Sequence, residues 1–398
     1  MNVIFISPNF PLHFYSFCNR LLHLGCNVLG IGDCPYDNLN DNVKSSLTEY
    51  YYVNSLEDYD QVMRAAAFFT FKYCKIDHIE SQNEYWLTTE AKLREDFNVQ
   101  TGLRPAELEK VKLKSKMKAA YAKAGIPTAR WMLINSESKA RKFAKMVGYP
   151  LIIKPDNGVG ASNTYKIDNA AALDEVLCKI DTKKTVNIIE EFVPGHVETF
   201  DGITDSRGEI LFCTGQVMKI TPLAMLNGDG ENISYTRNMQ ESDLQEIGAK
   251  TVKAFGVKQR FFHFEFFRLD ADKQGLGNKG DIIGLEVNMR APGGYIPDKM
   301  NYAYDVDVYQ IWAESLVYDE NRSFRDYKFR RYITHYGRGA NVNYRHTPEE
   351  IRGHFGDRLL MENIPPKSIS GGMGAQIFIL QSTSEQELFT DGEYILER

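Results

Sequence analysis

Four polar side chains have the types and spacing for phosphoryl chemistry: Glu265 in FFHFEFFRL, and Glu286, Asn288 and Arg290 in IIGLEVNMR. Segment 261–269 alternates aromatic and polar residues, and segment 281–290 opens on Ile-Ile-Gly-Leu. A Gly- and Asp-rich stretch lies between them, so the pair reads as a β-hairpin. Strand alternation puts Glu286, Asn288 and Arg290 on one face and Leu285, Val287 and Met289 on the other. His263 shares a face with Glu265, and Phe262, Phe264 and Phe266 take the opposite face. A hairpin centred in the loop sets Glu265 against Glu286 with Cβ atoms roughly 5 Å apart, where like charges repel. A cation relieves that repulsion. Two carboxylates and an amide oxygen are hard ligands suited to Mg²⁺ that also holds phosphates. Arg290 can then face the charge that develops on a transferred phosphoryl group. The competing reading is a half-solvated hairpin with ordinary surface charges. The Phe and Ile content on both flanks argues for burial instead, and a buried glutamate pair without a partner is costly.

A second candidate lies upstream. The apolar strand 149–155 ends on Lys154 and runs into Asp156-Asn157-Gly158-Val159-Gly160-Ala161-Ser162-Asn163. Small residues let backbone N–H groups close on phosphate oxygens, and Lys154 adds a point charge. No Gly-Lys-Ser/Thr leads into a helix, so this is not a Walker loop; a plain hairpin loop produces the same composition.

The elements that must position these groups follow in order. Segments 2–7, 27–32 and 76–80 read as strands, alternating with helices 13–24, 56–73 and 84–97, an α/β-wound opening without the G-x-G-x-x-G fingerprint. The polar run Ser81-Gln82-Asn83-Glu84 falls where a parallel strand ends, and either contacts a substrate or caps the next helix. A linker begins at Leu103-Arg104-Pro105. A lysine-rich helix over 107–124 ends at Gly125-Ile126-Pro127. Helix 136–148, with Ser136 as its cap, and helix 169–178 flank the Lys154 strand. Strands 186–193, 196–205, 211–219 and 232–238 and helix 242–255 lead into the hairpin. Asn227-Gly228-Asp229-Gly230 reads as a mobile loop. A helix over 304–318 follows, then strand 332–337, helix 347–353, the Gly-rich run 370–374 and strand 375–380.

The 398 residues, 43% hydrophobic and 25% charged, have material for two or three cores. A net charge of −6 lacks the basic footprint of a nucleic-acid binder. The six cysteines are scattered without a C-x-x-C pair, which fits neither zinc nor a disulfide framework and suits a reducing, cytoplasmic setting. The opening MNVIFISPNFP reads as a first strand rather than a signal peptide, and no run approaches a membrane span.

In this order, the lysine helix ending in AGIP, the strand ending in lysine with its Gly-rich loop, EEFV-PG-HVE, and a Glu strand followed by E-x-N-x-R resemble the ATP-grasp superfamily over residues 1–325. The resemblance implies an α/β fold with an α+β lid: a Rossmann-like pre-ATP-grasp domain (1–106), a linking helix (107–125), a lid (126–190), a core with an antiparallel sheet (191–328), and a C-terminal α/β extension (329–398). It implies ATP and two Mg²⁺ ions, with Mn²⁺ as an alternative. Lys114, or Lys116 if the register differs, and Lys154 would meet ATP phosphates. Gly158, Gly160 and Ser162 would belong to the phosphate loop. Glu190, with the backbone of Glu191, Phe192 and Val193, would form the adenine hinge, and Glu198 would hold the ribose. Glu265, Glu286 and Asn288 would ligate metal, with Arg290 beside the transferred phosphate. His263 reads as a packed member of the aromatic cluster.

R-x-P-G-G after the hairpin resembles the amino-acid and dipeptide ligase branch, whose Gly amides can bind a substrate carboxylate. Biotin carboxylase continues differently, with Gln-Val-Glu-His. The resemblance thus implies activation of a small carboxylate as an acylphosphate and its joining to an amine. The alternatives are a bicarbonate enzyme of the biotin-carboxylase or carbamoyl-phosphate type, or an ATP-binding protein without ligation. Small-molecule partners are expected, with neither nucleic acid nor membrane. Residues 329–398 either complete the core sheet, bound the acceptor pocket or make a homodimer contact.

Overall fold

The computed structural model describes residues 1–158, 163–181, 184–219, 231–365, 370 and 372–398. Strands β1 (Asn2–Ile6), β2 (Asn27–Gly32), β3 (Glu49–Tyr52) and β4 (His78–Glu80) form a parallel sheet in the order β3-β2-β1-β4. Strand β3, EYYY, lacks the apolar run of its neighbours and gave no sequence signal; it is the sheet's edge.

Strands β5 (Trp131–Leu133), β6 (Leu151–Pro155), β7 (Tyr165–Ile167) and β8 (Asn187–Glu191) form a small antiparallel sheet in the order β5-β8-β6-β7. Two amphipathic helices pack on it, Glu137–Val147 and Ala170–Lys179, and their apolar residues make a separate core. Ser136 caps the first, accepting from the Lys139 amide, and Asn169 caps the second.

The third sheet is the largest. It holds β9 (Gly195–Thr204), β10 (Ile210–Met218), β11 (Asn232–Arg237), β12 (Phe261–Leu269), β13 (Ile282–Asn288), β14 (Tyr332–Arg338), β15 (Leu359–Asn363) and β16 (Gln376–Ser382). All pairings are antiparallel, in the order β13-β12-β9-β10-β11-β14-β16-β15. Strands of 329–398 therefore complete the core sheet. One face of β12 and β9 carries Phe200, Phe262, Phe264 and Phe266, buried with Tyr121 and Phe255. The far end packs on the first sheet through Phe17, which meets Phe261 at 6.1 Å and Trp312 at 5.1 Å between ring centroids.

One expected helix is divided, and another, expected over 304–318, starts later and is preceded by a helix the sequence reading lacked. The run 107–124 becomes Pro105–Lys112 and Lys114–Lys123, because Leu113 turns extended and bridges to Asn157. Its successor is held at its start by Asp156, which accepts from the Ser115 amide at 2.7 Å and the Ser115 hydroxyl at 2.8 Å. In the second case Asp305, left-handed at φ 52°, separates Ile296–Tyr304 from Val308–Tyr318, which Asp307 caps. Among the described residues no helix is long and apolar enough to cross a membrane.

Behind β4, Arg94 is fully buried. Its guanidinium lies 2.9 Å from Glu90 and 3.1 Å from Glu80, and donates to Leu103 O at 3.1 Å. A Cβ at Gly102 would come within 2.5 Å of it, so the chain passes over the guanidinium only as glycine. Arg94→Met removes the ion-pair partner of two buried carboxylates, which costs about 3–5 kcal/mol; urea unfolding monitored by tryptophan fluorescence measures the loss.

Candidate active site

The hairpin register brings the charged residues together. Along β12 and β13, His263 faces Asn288, Phe264 faces Val287 and Glu265 faces Glu286. The next pair is Phe266 with Gly284, so Leu285 is an extra residue. This bulge turns Leu285 into the cavity with Glu286, a departure from simple alternation, which had set it with Val287 and Met289. Gly284 keeps this approach close: a Cβ would come within 3.0 Å of the Tyr121 ring, and its amide donates to Pro127 O at 2.8 Å.

A cavity of about 230 Å³ opens between this hairpin and the small sheet. Glu265, Glu286, Asn288 and Arg290 line one side, and Lys114, Lys154, Glu190, Glu191, Phe192 and Val193 line the other. Ile152, Val197, Phe267 and Leu285 supply apolar wall.

Lys114, rather than Lys116, occupies the site. Its Nζ donates to Gly158 O at 2.8 Å and lies 3.4 Å from Glu286. Lys116 is exposed, 4.0 Å from Glu109. One helical turn beyond Lys114, the buried Lys118 lies 3.3 Å from Glu190, whose other oxygen is 3.1 Å from Lys154. Lys118 was given no site role from the sequence; its i+4 spacing from Lys114 was the available signal. Burial alone would push the Glu190 carboxyl up, but Lys118 and Lys154 overcome this and hold it at about 2. Burial pulls the Lys154 ammonium down, and Glu190, Glu286 and Glu265 more than reverse this.

The Glu191 carboxylate is bound to Arg130, through its amide at 2.7 Å, Nε at 3.0 Å and Nη2 at 2.5 Å. The Glu191 and Phe192 amides donate to Arg130 O and Pro150 O. The Val193 amide has no partner among the described residues.

Three sequence expectations need separate treatment. Gly160 and Ser162, with most of the loop that follows Asp156, lie outside the described residues, as does Asn227-Gly228-Asp229-Gly230. Glu198 is not in the cavity. On β9 it is Val197 and Thr199 that share the face of Phe267 and Glu265; Glu198 pairs with Phe266 and faces the other way. There Arg268 holds it at 2.9 and 3.0 Å, and Arg237 and His196 add further contacts. The ribose role expected for Glu198 is therefore corrected. His263 is likewise not part of the aromatic cluster. Its Nδ1 meets Asp201 at 2.5 Å and its Nε2 meets Glu265 at 3.3 Å. Burial lowers the imidazolium pKa, but Asp201 and Glu265 outweigh it and raise it to about 9. The same contact keeps Glu265 below the usual carboxylate range against its own burial.

The polar run after β4 also reaches this region. Gln82 accepts from the Ala291 amide at 3.0 Å, and Asn83 caps the next turn. Glu84 is buried and its pKa is raised by burial, with Arg290 its strongest opposing charge. Arg290 and His263 also line a second cavity of about 250 Å³.

Residues 119–279 match the family model for an ATP-grasp domain. Sequence relatives include the L-arginine-specific L-amino acid ligase of Bacillus subtilis, 25% identical over 279 residues, which are 67% of this chain and 63% of that one. The carbamoyl phosphate synthase large chain of Thermotoga petrophila is 24% identical over 196 residues, 48% of this chain and 17% of its own. The chain thus spans less than two thirds of either relative. The crystal structure of L-amino acid ligase from Bacillus licheniformis superposes with a TM-score of 0.73 at 18% identity, covering 98% of this chain and 96% of that one. The chain thus shares its fold from end to end with that ligase.

Among the described residues no group of three or more His, Cys, Asp or Glu side chains could hold a metal by itself. Two opposed carboxylates with one amide instead suit a hard cation that completes its shell with phosphate oxygens and water. The Glu190 ion pairs give a pH signature. A carboxyl moved from 4.5 to about 2 stabilises the fold above pH 4.5, and that stability is lost as pH falls through about 2. Glu190→Gln flattens this acid limb in unfolding titrations. At neutral pH it costs about 3–5 kcal/mol, because two buried lysines lose their counter-ion.

Proposed function

We propose that the chain is an ATP-dependent ligase that activates a small carboxylate as an acylphosphate and joins it to an amine, releasing ADP and phosphate. The observation that carries this reading is the in-register pair Glu265 and Glu286, lining with Asn288 and Arg290 a cavity whose opposite wall carries Lys114 and Lys154. Two lysines facing two carboxylates match the needs of a metal-bound polyphosphate. The sequence likeness to an L-amino acid ligase and the shared fold support an amino-acid-like substrate.

Glu265, Glu286 and Asn288 would hold Mg²⁺, with two ions expected. The metal supplies charge neutralisation for the triphosphate. Lys114 and Lys154 draw phosphate oxygens toward the hairpin. The Val193 amide offers a donor to the adenine, beside the apolar wall of Ile152, Val197 and Leu285. Arg290 faces the phosphoryl group as it passes to the substrate carboxylate, breaking the γ-phosphate bond to ADP. The amine then attacks the acyl carbon and phosphate leaves. Exclusion of water matters because the acylphosphate hydrolyses easily; closure of the small sheet over the cavity would provide it.

Phosphate release with Mg-ATP against single and paired amino acids, with product masses, tests the reaction. Condensed product formed with phosphate release supports a ligase; ATP binding without release by any pair sinks it. Arg290→Ala should lower kcat about 10²–10³-fold, and Glu286→Ala should abolish turnover while circular dichroism stays unchanged. Lys154→Ala should weaken binding of a non-hydrolysable ATP analogue about 10–100-fold, the loss of a charge-assisted contact. Normal turnover in the Glu286 variant would remove the metal assignment.

A further inference from the structure

The second cavity contains a buried ammonium that, among the described residues, has no carboxylate in ion-pair contact. Lys299, on the helix Ile296–Tyr304, is 1% exposed. Its Nζ donates to the Ser234 hydroxyl at 2.9 Å and to Ser234 O at 3.2 Å, both neutral. Among the described residues no carboxylate oxygen forms an ion pair with it. Asp201 is the acid that acts on it, and that carboxylate is already engaged by His263 and by the Thr199 hydroxyl. Burial pushes the Lys299 ammonium down to about 7 against the pull of Asp201. A buried cation left this way is costly, and an anion from outside the chain would relieve it.

The rest of the wall agrees. The cavity of about 250 Å³ is lined by Arg290, His263, Lys299, Ser234, His335 and Asn232, and among the described residues by no aspartate or glutamate. His335 is kept neutral, its pKa lowered by burial to about 4, and its Nε2–H donates to Met373 O at 2.9 Å. Arg290 joins this cavity to the one that holds the metal ligands. Ser234 lies on β11, three strands from β12 in the sheet order, a separation of about 14 Å at the usual strand spacing. A group held at Ser234 is therefore not the one that reacts beside Glu265.

We propose that Lys299 and Ser234 bind a carboxylate of the substrate that takes no part in the reaction, so that the molecule filling this cavity carries a second anionic group besides its reacting one. The proposal rests on the ligase reading of the neighbouring cavity. A single ammonium with one hydroxyl suits a carboxylate of one negative charge better than a phosphate dianion. Short dicarboxylates, and amino acids that keep a free carboxylate, are the substrate class.

Calorimetric titrations of the whole protein with Mg²⁺ and AMP-PNP test it, using succinate, glutarate and L-glutamate against butyrate, and inorganic phosphate in parallel. Wild type should bind at least one of the three at least tenfold more tightly than butyrate. Lys299→Met should erase that difference, keep AMP-PNP affinity, and raise the unfolding midpoint of the unliganded protein by removing a lone buried charge. If Lys299 only braces Ser234, the variant unfolds at a lower temperature and keeps the preference, which overturns the proposal. Equal affinities for all acids, or binding of phosphate alone, also overturn it. If Lys299→Met does not fold, Ser234→Ala supplies the test: a weakened preference supports the site and an intact one rejects it. Failure of AMP-PNP to bind wild type would reject the nucleotide reading without altering the comparison among acids.

Discussion

Two glutamates facing each other across an antiparallel ladder repel, and much of the site is arranged around that repulsion. Glu286 is met by Lys114 at 3.4 Å and Glu265 by His263 at 3.3 Å. Each of these cations is itself held: Lys114 by Gly158 O, and His263 by Asp201. The pair is thus balanced on its flanks while its centre stays open to the cavity. The aromatic face behind it, Phe262, Phe264 and Phe266, fixes the phase of β12, and a one-residue slip would exchange that face with the charges. Packing of an apolar layer and positioning of the acids are therefore one constraint.

The same logic holds on the opposite wall. Lys118, Lys154 and Glu190 form a buried triad whose net charge is positive, and Lys114 adds a further cation. A cationic wall facing an acidic one, with apolar side chains between, favours a ligand that is anionic, accompanied by metal and flat at one end.

Much of this was legible from residue order. Both hairpin strands carry period-2 patterning and a Gly-rich loop, so their pairing and the Glu265–Glu286 opposition followed from the pattern. Lys154 was marked locally by an apolar strand running into a Gly-rich loop, whereas Lys114 came from motif order alone. Other features left no mark. A bulge adds one residue without changing composition, so Leu285 could not be distinguished from its buried neighbours. The facing of Glu198 depends on how β9 pairs with β12, across more than fifty intervening residues. The Asp201–His263 contact joins residues 62 apart, with no local pattern to announce it. The break in the helix expected over 107–124 and the boundary before Val308–Tyr318 turn on single residues, Leu113 and Asp305, whose conformations answer to distant partners or to backbone sterics.

Strand β8 ends at Glu191 and β9 begins at Gly195, so only Phe192, Val193 and Pro194 carry the chain from the small sheet to the large one. Gly195 is pinned where it enters, since a Cβ there would come within 2.2 Å of Arg268 O. Phe192 and Val193 also line the cavity. Whatever rests against that three-residue crossing touches the direct link between the two sheets. A molecule that prefers one angle between them shifts the protein toward that angle by as much as its affinities for the two arrangements differ. Contact at the crossing would thereby couple occupancy at the hairpin to a separate sheet with its own core.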